Sequence, residues 1–256
     1  MAGSAPVQSL QRGMRIAEAV SEASGGLALA DICAATGLKT STAHNLVRTL
    51  VDGGFLARTG PAARYQLGPA VIAMAARYHS RRLLQIAADH VLALHRGLPD
   101  GIVTYAESEN NEILVRARAW PQRPGVVEQP EGMAMPAYTT VTSLVFQAFW
   151  PGDQLAAYRT RYPLAEYGAH LWRTQGALDR ELAAIRTRGY ALALRDPATV
   201  LVAAPVFGPG RDIVGVLGIR IDGYRGDRPA VAQRVGARLV EAATAVTAQA
   251  WPEEAR

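Results

Sequence analysis

Between residues 10 and 23, Leu10, Met14, Ala17 and Val20 recur at helical spacing with Ile16 beside them. Arg12, Arg15, Glu18 and Glu22 fall on the remaining faces, so the pattern predicts an amphipathic helix closed by the glycines of SGG. LALADICAATG then places Leu29, Ile32 and Cys33 on one face and stops at Gly37, a tight-turn position. In KTSTAHNLVRTLVDGGFL, Ala43, Leu46, Val47 and Leu50 make the inward stripe of a third helix, with Thr40 or Ser41 as the expected cap. Its other faces carry Thr42, His44, Asn45, Arg48 and Thr49. Gly53 and Gly54 end this helix, and ARTGPAARYQL reads as two short strands around a Gly-Pro turn, with Arg58 and Arg64 near the base.

From Pro69, PAVIAMAARYHSRRLLQIAADHVLALHRG has a helical pattern, with a break expected near His79-Ser80. GIVTYAES and EILVRARAW read as strands joined by the turn ENN, and VLVAAPVF and DIVGVLGIRI as apolar strands joined by GPGR. LVFQAFW, the segment from Ala177 to Ile185 and the closing VAQRVGARLVEAATAVTAQAW supply helices. In the last of these the inward stripe is Val231, Val235, Leu239, Ala242 and Val246. Three small helices with a hairpin, a long helix, and then mixed strands and helices predict an α/β chain overall, with helices packed on an antiparallel sheet.

Composition adds limits. A chain of 256 residues that is 49% hydrophobic has enough apolar material for two cores. It contains no run of about 18 apolar residues and no basic-then-apolar start, so no membrane span or secretory leader is expected. The single cysteine, Cys33, cannot close an internal disulfide, and a cytoplasmic setting follows. The net charge of +5 is unevenly placed: residues 1–96 carry ten Lys/Arg against five Asp/Glu, whereas residues 97–256 carry seventeen of each. That imbalance suits a front part that meets a polyanion.

Two short helices around a glycine turn, the second with a polar outer face and a hairpin beside it, are what a winged helix-turn-helix requires. Lys39, Thr40, Ser41, Thr42, His44, Asn45, Arg48, Arg58 and Arg64 are the candidate DNA contacts. Of these, Thr42, His44 and Asn45 suit base readout, while Arg48, Arg58 and Arg64 suit the backbone. A front domain used for protein contacts alone would share much of this periodicity, and an architectural DNA protein would share the charge.

VQSLQRGMRIAEAV, LADICAATGL, STAHNLVRTLVDGGFL and ARYQLG, in this order, resemble the N-terminal domain of the IclR family of bacterial transcriptional regulators. The resemblance is dense over residues 7–68 and thinner beyond, where RGYALALRD, VAAPVF and the closing strand carry it. It implies a winged helix-turn-helix at 7–68, a linker with dimerisation helices at 69–96, and a GAF-like α/β effector-binding and oligomerisation domain at 97–251. It also implies a double-stranded DNA operator, a homodimer or homotetramer, and no enzymatic role. Relatives often carry Arg where this chain has Asn45, and Pro followed by Lys or Arg where it has Lys39 and Thr40. Asn pairs best with adenine and Arg with guanine, so a different operator is expected.

Carried over residue by residue, the resemblance places an effector pocket at Ser143, Leu144, Arg195, Asp196, Leu201, Gly218 and Arg220. Leu201 and Gly218 stand where relatives often have Cys and Ser, which implies a roomier, less polar pocket. The expected effector is an organic acid with an apolar or aromatic body, met by Arg195 or Arg220. The alternative is a second domain that only fixes oligomer geometry; a further one is an enzyme fused to the DNA-binding domain.

Other chemistry is weak. His90 and His95 are five apart, a poor pairing for two metal ligands on a helix, and no HExxH or paired cysteines accompany them. GPGRDIVGV lacks the Lys-Ser/Thr pair of a phosphate loop, and no nucleophile stands at a recognisable spacing from a base. No cofactor, no metal and no catalytic residue is expected.

Overall fold

The computed structural model describes residues 6–60, 63–193 and 198–252. The chain divides into two compact units, Met1–Ser80 and Arg81–Arg256.

In the first unit, α1 (Gln8–Ser21), α2 (Leu29–Thr36) and α3 (Thr40–Asp52) precede the hairpin β1 (Leu56–Thr59) and β2 (Arg64–Leu67). Ile16, Val20, Ile32, Val47 and Leu56 form its core. Gly37 ends α2 in the left-handed conformation, φ 69°, and its N–H bonds the Cys33 carbonyl. This turns the chain directly into α3. At the start of α2, the Ala28 N–H donates to the Asp31 carboxylate at 3.1 Å. Cys33 is half-buried, and the inward positions of α2 are Ile32 and Thr36, whose hydroxyl donates to the Ile32 carbonyl at 2.6 Å.

The cap of α3 differs from expectation. Lys39 takes the N-cap position and no side chain bonds the first amides; Thr40 already begins the helix. The break expected near His79-Ser80 is also absent: α4 (Pro69–Gly97) runs as one helix. Residues 76–80 contain no proline or glycine to interrupt it, and a polar pair alone leaves the backbone ladder intact.

The second unit is built on a five-stranded antiparallel sheet. Its strands are β3 (Gly101–Glu109), β4 (Glu112–Ala119), β5 (Ala191–Ala193), β6 (Val200–Phe207) and β7 (Ile213–Ile221), in the order β4-β3-β7-β6-β5. Asn110 and Asn111, both at positive φ (51° and 60°), close the β3–β4 hairpin in the tight two-residue form that Asn tolerates. On one face, α5 (Val141–Phe149) and α8 (Gln175–Arg188) cover Ala106, Ala203 and Val216. On the other, residues 83–94 of α4 and the long α9 (Arg228–Ala250) cover Val103, Tyr105, Val202 and Leu217. Because both faces are covered, β6 is buried continuously from Val202 to Val206. The inward stripe of α9 runs Val231, Val235, Leu239, Ala243 and Val246; Ala243 replaces the expected Ala242, which is half-buried. The short helices α6 (Gly152–Arg161) and α7 (Leu164–Tyr167) fill the connection between α5 and α8.

Candidate functional site

The buried residues of α3 are Ala43 and Val47, with Leu46 and Leu50 half-buried beside them. At 3.6 residues per turn, the opposite side passes through Ser41, Asn45 and Arg48. All three are exposed. His44 is exposed to one side of this line and Thr42 is half-buried on the other. Lys39 and Thr40 are exposed at the helix entrance, where the first amides carry no side-chain cap. Open amides at a helix start favour an anion. Thr49 is committed internally, its hydroxyl donating to the Asn45 carbonyl at 3.0 Å.

In the hairpin, Arg58 is exposed on β1, paired across the ladder with Tyr65. Arg64 is held differently. Its Nε donates to the carbonyls of Gly25 and Gly26 at 3.1 Å and a terminal nitrogen donates to Gly26 at 2.8 Å. The side chain ties the hairpin to the loop between α1 and α2. The same loop pairs as a bridge with the hairpin, Leu27 opposite Tyr65. The fold thus leaves all nine candidate DNA residues exposed or half-exposed on α3, its entrance and the hairpin, and Arg64 in addition braces the hairpin.

In the second unit, Ser143 and Leu144 lie buried in the first turn of α5. The Thr140 side chain caps this helix, accepting from the Ser143 N–H at 3.2 Å, and the Ser143 hydroxyl donates to the Thr140 carbonyl at 2.9 Å. Gly218 on β7 faces the same helix. A side-chain carbon at Gly218 would stand 3.0 Å from Thr104 Oγ1 and 3.2 Å from Thr142 Oγ1. The room expected at this glycine is therefore taken up by two hydroxyls, and the niche is more polar than the residue type alone implies. Thr104 and Thr142 were not foreseen, since threonine in a strand or in VTSL reads as ordinary β or helix-start composition. Leu201 is half-buried on β6, directly opposite Arg220 on β7. Arg220 is exposed and its Nε donates to both Asp222 oxygens, at 3.0 and 2.8 Å. The guanidinium holds the Asp222 carboxyl below its usual range. Asp222 also accepts from the Thr199 hydroxyl at 3.0 Å. Arg195 and Asp196 lie outside the described residues.

His95 is buried, its Nδ1 2.9 Å from the Gly101 carbonyl, which fixes the start of β3 against the end of α4. Among the described residues no helix is long and apolar enough to cross a membrane.

Residues 9–60 match the IclR helix-turn-helix domain and residues 75–248 match the bacterial transcriptional regulator IclR C-terminal domain. The chain belongs to the IclR family. It is a DNA-binding transcriptional regulator, with helix-turn-helix elements in front and an α/β domain behind. Over 247 residues it is 25% identical to the transcriptional repressor IclR of Escherichia coli K12, spanning 94% of this chain and 89% of that protein. An IclR homologue of Microbacterium hydrocarbonoxydans, solved with 4-hydroxybenzoate, shares the fold with a TM-score of 0.55 at 22% identity, over 96% of this chain and 100% of that one. HmgR of Pseudomonas aeruginosa shares it with a TM-score of 0.52 at 23% identity, over 94% and 97%.

Proposed function

We propose that this IclR-family regulator binds a two-fold operator as a dimer or a pair of dimers, reading bases with Asn45 and its neighbours on α3. The observation that carries the proposal is the exposed line of Ser41, Asn45 and Arg48 opposite the buried stripe of α3. An α-helix fits the major groove of B-form DNA, and Asn can bond adenine through two hydrogen bonds. Arg48, Arg58, Lys39 and the open amino end of α3 then bind phosphate, which positions the reader without specifying sequence. Arg64 contributes by holding the hairpin in place. Thr42 and His44 flank the reading line.

One small reader contacts few base pairs, and a symmetric pair gains specificity from half-sites roughly 34–36 Å apart or a multiple of a turn. The surface supports such pairing. On α1, Leu10 and Met14 lie on one face and are 59% and 63% exposed, and Val7 at the N-cap is 65% exposed. On α4, Ile72, Met74 and Tyr78 are exposed as well. The shared face on α1, with further exposed apolar side chains on α4, supports burial against a second subunit.

The effector part of the proposal is a small organic acid seated in the GAF-like domain between the amino end of α5 and Gly218. Thr104 and Thr142 offer hydroxyls there, with Ser143 and Leu144 behind them and Leu201 and Arg220 at the rim; Arg195 and Asp196 remain candidates by resemblance alone. The relative solved with 4-hydroxybenzoate makes an aromatic acid a reasonable first candidate. A second reading, in which this domain only sets oligomer geometry, is favoured by the internal pairing of Ser143 with Thr140 and of Arg220 with Asp222.

The test is retention of genomic DNA fragments by the purified protein at two salt concentrations, with unrelated duplex as competitor. Selective retention of one interval supports operator binding. Equal, salt-sensitive retention of all fragments would replace it with an architectural role. Titrating organic acids into the operator complex then separates the two readings of the second domain. A ligand that changes operator affinity by roughly 5–150-fold supports sensing; silence in both DNA release and melting supports the geometric role.

A further inference from the structure

A second groove lies at the far edge of the sheet. β5 pairs with β6 only from Leu201 to Ala203, so the outer edge of β6 from Ala204 to Phe207 has no strand beside it among the described residues. Pro205 sits in this stretch and brings no N–H, which blunts the edge against addition of another strand. The space beside it has a volume of about 780 Å³ and is walled by Phe149 from the end of α5, Phe207 from β6, and Val240 and Trp251 from the α9 side. Two cations, Arg186 near the end of α8 and Arg211 in the β6–β7 turn, complete the lining.

The walls are fixed. Phe149 and Phe207 meet edge to face, ring centres 5.2 Å apart at 83°. The Thr247 hydroxyl on α9 donates to the Phe207 carbonyl at 2.8 Å. Arg186 is anchored by its Nε to the Ala148 carbonyl. Among the described residues, neither Arg186 nor Arg211 forms an ion pair. Arg211 is also in an unusual place. In the turn Gly208 donates to Asp212 and Arg211 to Gly208, and Arg211 takes the left-handed position, φ 62°. That position of a three-residue hairpin loop favours glycine. Here a glycine stands one residue earlier, at Gly210, and an arginine bears the strain. Strain at one cation on the rim of an apolar groove points to a use for its charge.

We propose that this groove binds an amphipathic organic anion, its flat apolar body against Phe149, Phe207, Val240 and Trp251 and its carboxylate toward Arg186 and Arg211. The volume falls within the range of small-molecule pockets. Guanidinium groups bind carboxylates with paired, charge-assisted hydrogen bonds. The site is separate from the niche above Gly218 and stands whether or not that niche senses an effector. It gives the second domain a further ligand position, joining the carboxyl ends of α5 and α8 to α9 and the β6–β7 turn.

The test is calorimetric titration of the full-length protein with biphenyl-4-carboxylate and with its neutral amide. The carboxylate is expected to bind once per chain, and the amide about tenfold more weakly or worse. Arg186→Ala and Arg211→Asn should each weaken the carboxylate by about tenfold or more; Asn tolerates the left-handed backbone, so the turn persists. Val240→Glu, at a helix position that is 37% exposed, places a negative charge on the wall without disturbing the core and should abolish binding. Gly218→Ala crowds the other niche and should leave binding unchanged. Absence of heat, equal binding of acid and amide, or indifference to Val240→Glu and Arg211→Asn would overturn the proposal. So would loss of binding in Gly218→Ala alone, which would place the probe in the niche. A change of oligomeric state in Val240→Glu, read by sedimentation, would assign the groove to a subunit contact instead.

Discussion

Asn45 has an exposed amide side chain at the centre of the outward line of α3, and its nearest companions on that line, Ser41 and Arg48, bring different chemistry. If Asn45 reads adenine, Asn45→Ala should reduce the ratio of operator to random-duplex affinity by roughly 5–150-fold, the range expected for one good bidentate pair, and leave random binding nearly unchanged. Fluorescence anisotropy on the two duplexes measures the ratio; an unaltered ratio removes Asn45 from base reading. Arg48→Ala should instead weaken both duplexes together and reduce the salt-dependence slope by about one, as expected when one phosphate contact is lost. These residues were legible in the sequence because a helix with a buried stripe defines its own opposite face. The brace formed by Arg64 was not, because nothing local shows that its guanidinium reaches back across the fold to the carbonyls of Gly25 and Gly26. Thr104 and Thr142 were missed for the same reason: they meet over Gly218 only after β3 and β7 have paired.

Glu107 sets a pH dependence of its own. Burial raises its carboxyl above the ordinary 4.5, a larger effect than the opposing hydrogen bond from Tyr105 and the charge of Arg116. The Tyr105 hydroxyl donates to it at 3.2 Å, and Arg116 Nε stands 3.3 Å away. Below about 4.5 both folded and unfolded chains hold the proton, so Glu107 adds no difference. As pH rises from 4.5 toward the raised folded value, the unfolded chain ionises first and stability falls; above that value the deficit persists. Glu107→Gln removes the titration. The melting temperature of Glu107→Gln relative to the parent should therefore be more favourable at pH 7 than at pH 4. A relative shift in the opposite direction would mean that the pairing with Arg116 outweighs burial.

At the scale of elements, two glycines separate backbone conformation from crowding. Gly37 holds the left-handed end of α2, and a side chain there would meet nothing within 4 Å. Gly37→Ala should cost only the left-handed backbone term, ~1–2 kcal/mol, and lower the melting temperature by roughly 2–8 °C. Gly68, between β2 and α4, has no such freedom: an added carbon would overlap the Gly54 carbonyl, a backbone atom that cannot swing aside. Gly68→Ala should therefore destabilise the first unit more than Gly37→Ala, as thermal melts of the two variants would show; equal melting temperatures would mean that Gly54 yields easily. The elements themselves were largely legible, since apolar spacing of 3.6 or 2 marks α1, α3, α9 and the four long strands. Less so were β5, only three residues long, and α6 and α7, whose polar sequences carry no strong stripe. Their order comes from packing against α5 and α8. The cap of α3 was misplaced because Thr40 and Ser41 are both good caps, yet the turn from Gly37 leaves Lys39 at that position.

For the whole molecule, the charge excess in residues 1–96 and the neutral balance beyond match the division of labour between a DNA-binding unit and an α/β unit. What one chain does not contain is the symmetry that the proposed operator needs, and the exposed stripe of Val7, Leu10 and Met14 is where that symmetry can be tested. Met14→Glu leaves the core untouched, because Gly13, Ile16 and Val20 are the buried residues of α1. If pairing through this stripe joins two readers, the variant should bind a full operator no better than a single half-site, while its half-site affinity stays at the parent level. The DNA can be changed instead of the protein. Inserting five base pairs between the half-sites rotates one by about half a helical turn and should reduce the parent protein to half-site affinity; inserting ten restores the facing and should recover part of the loss. Anisotropy with the parent and Met14→Glu proteins on these duplexes measures both effects. Equal affinity for full, half and five-pair-shifted sites would mean that each subunit reads DNA independently, and the exposed stripe would then have to serve some contact other than operator pairing.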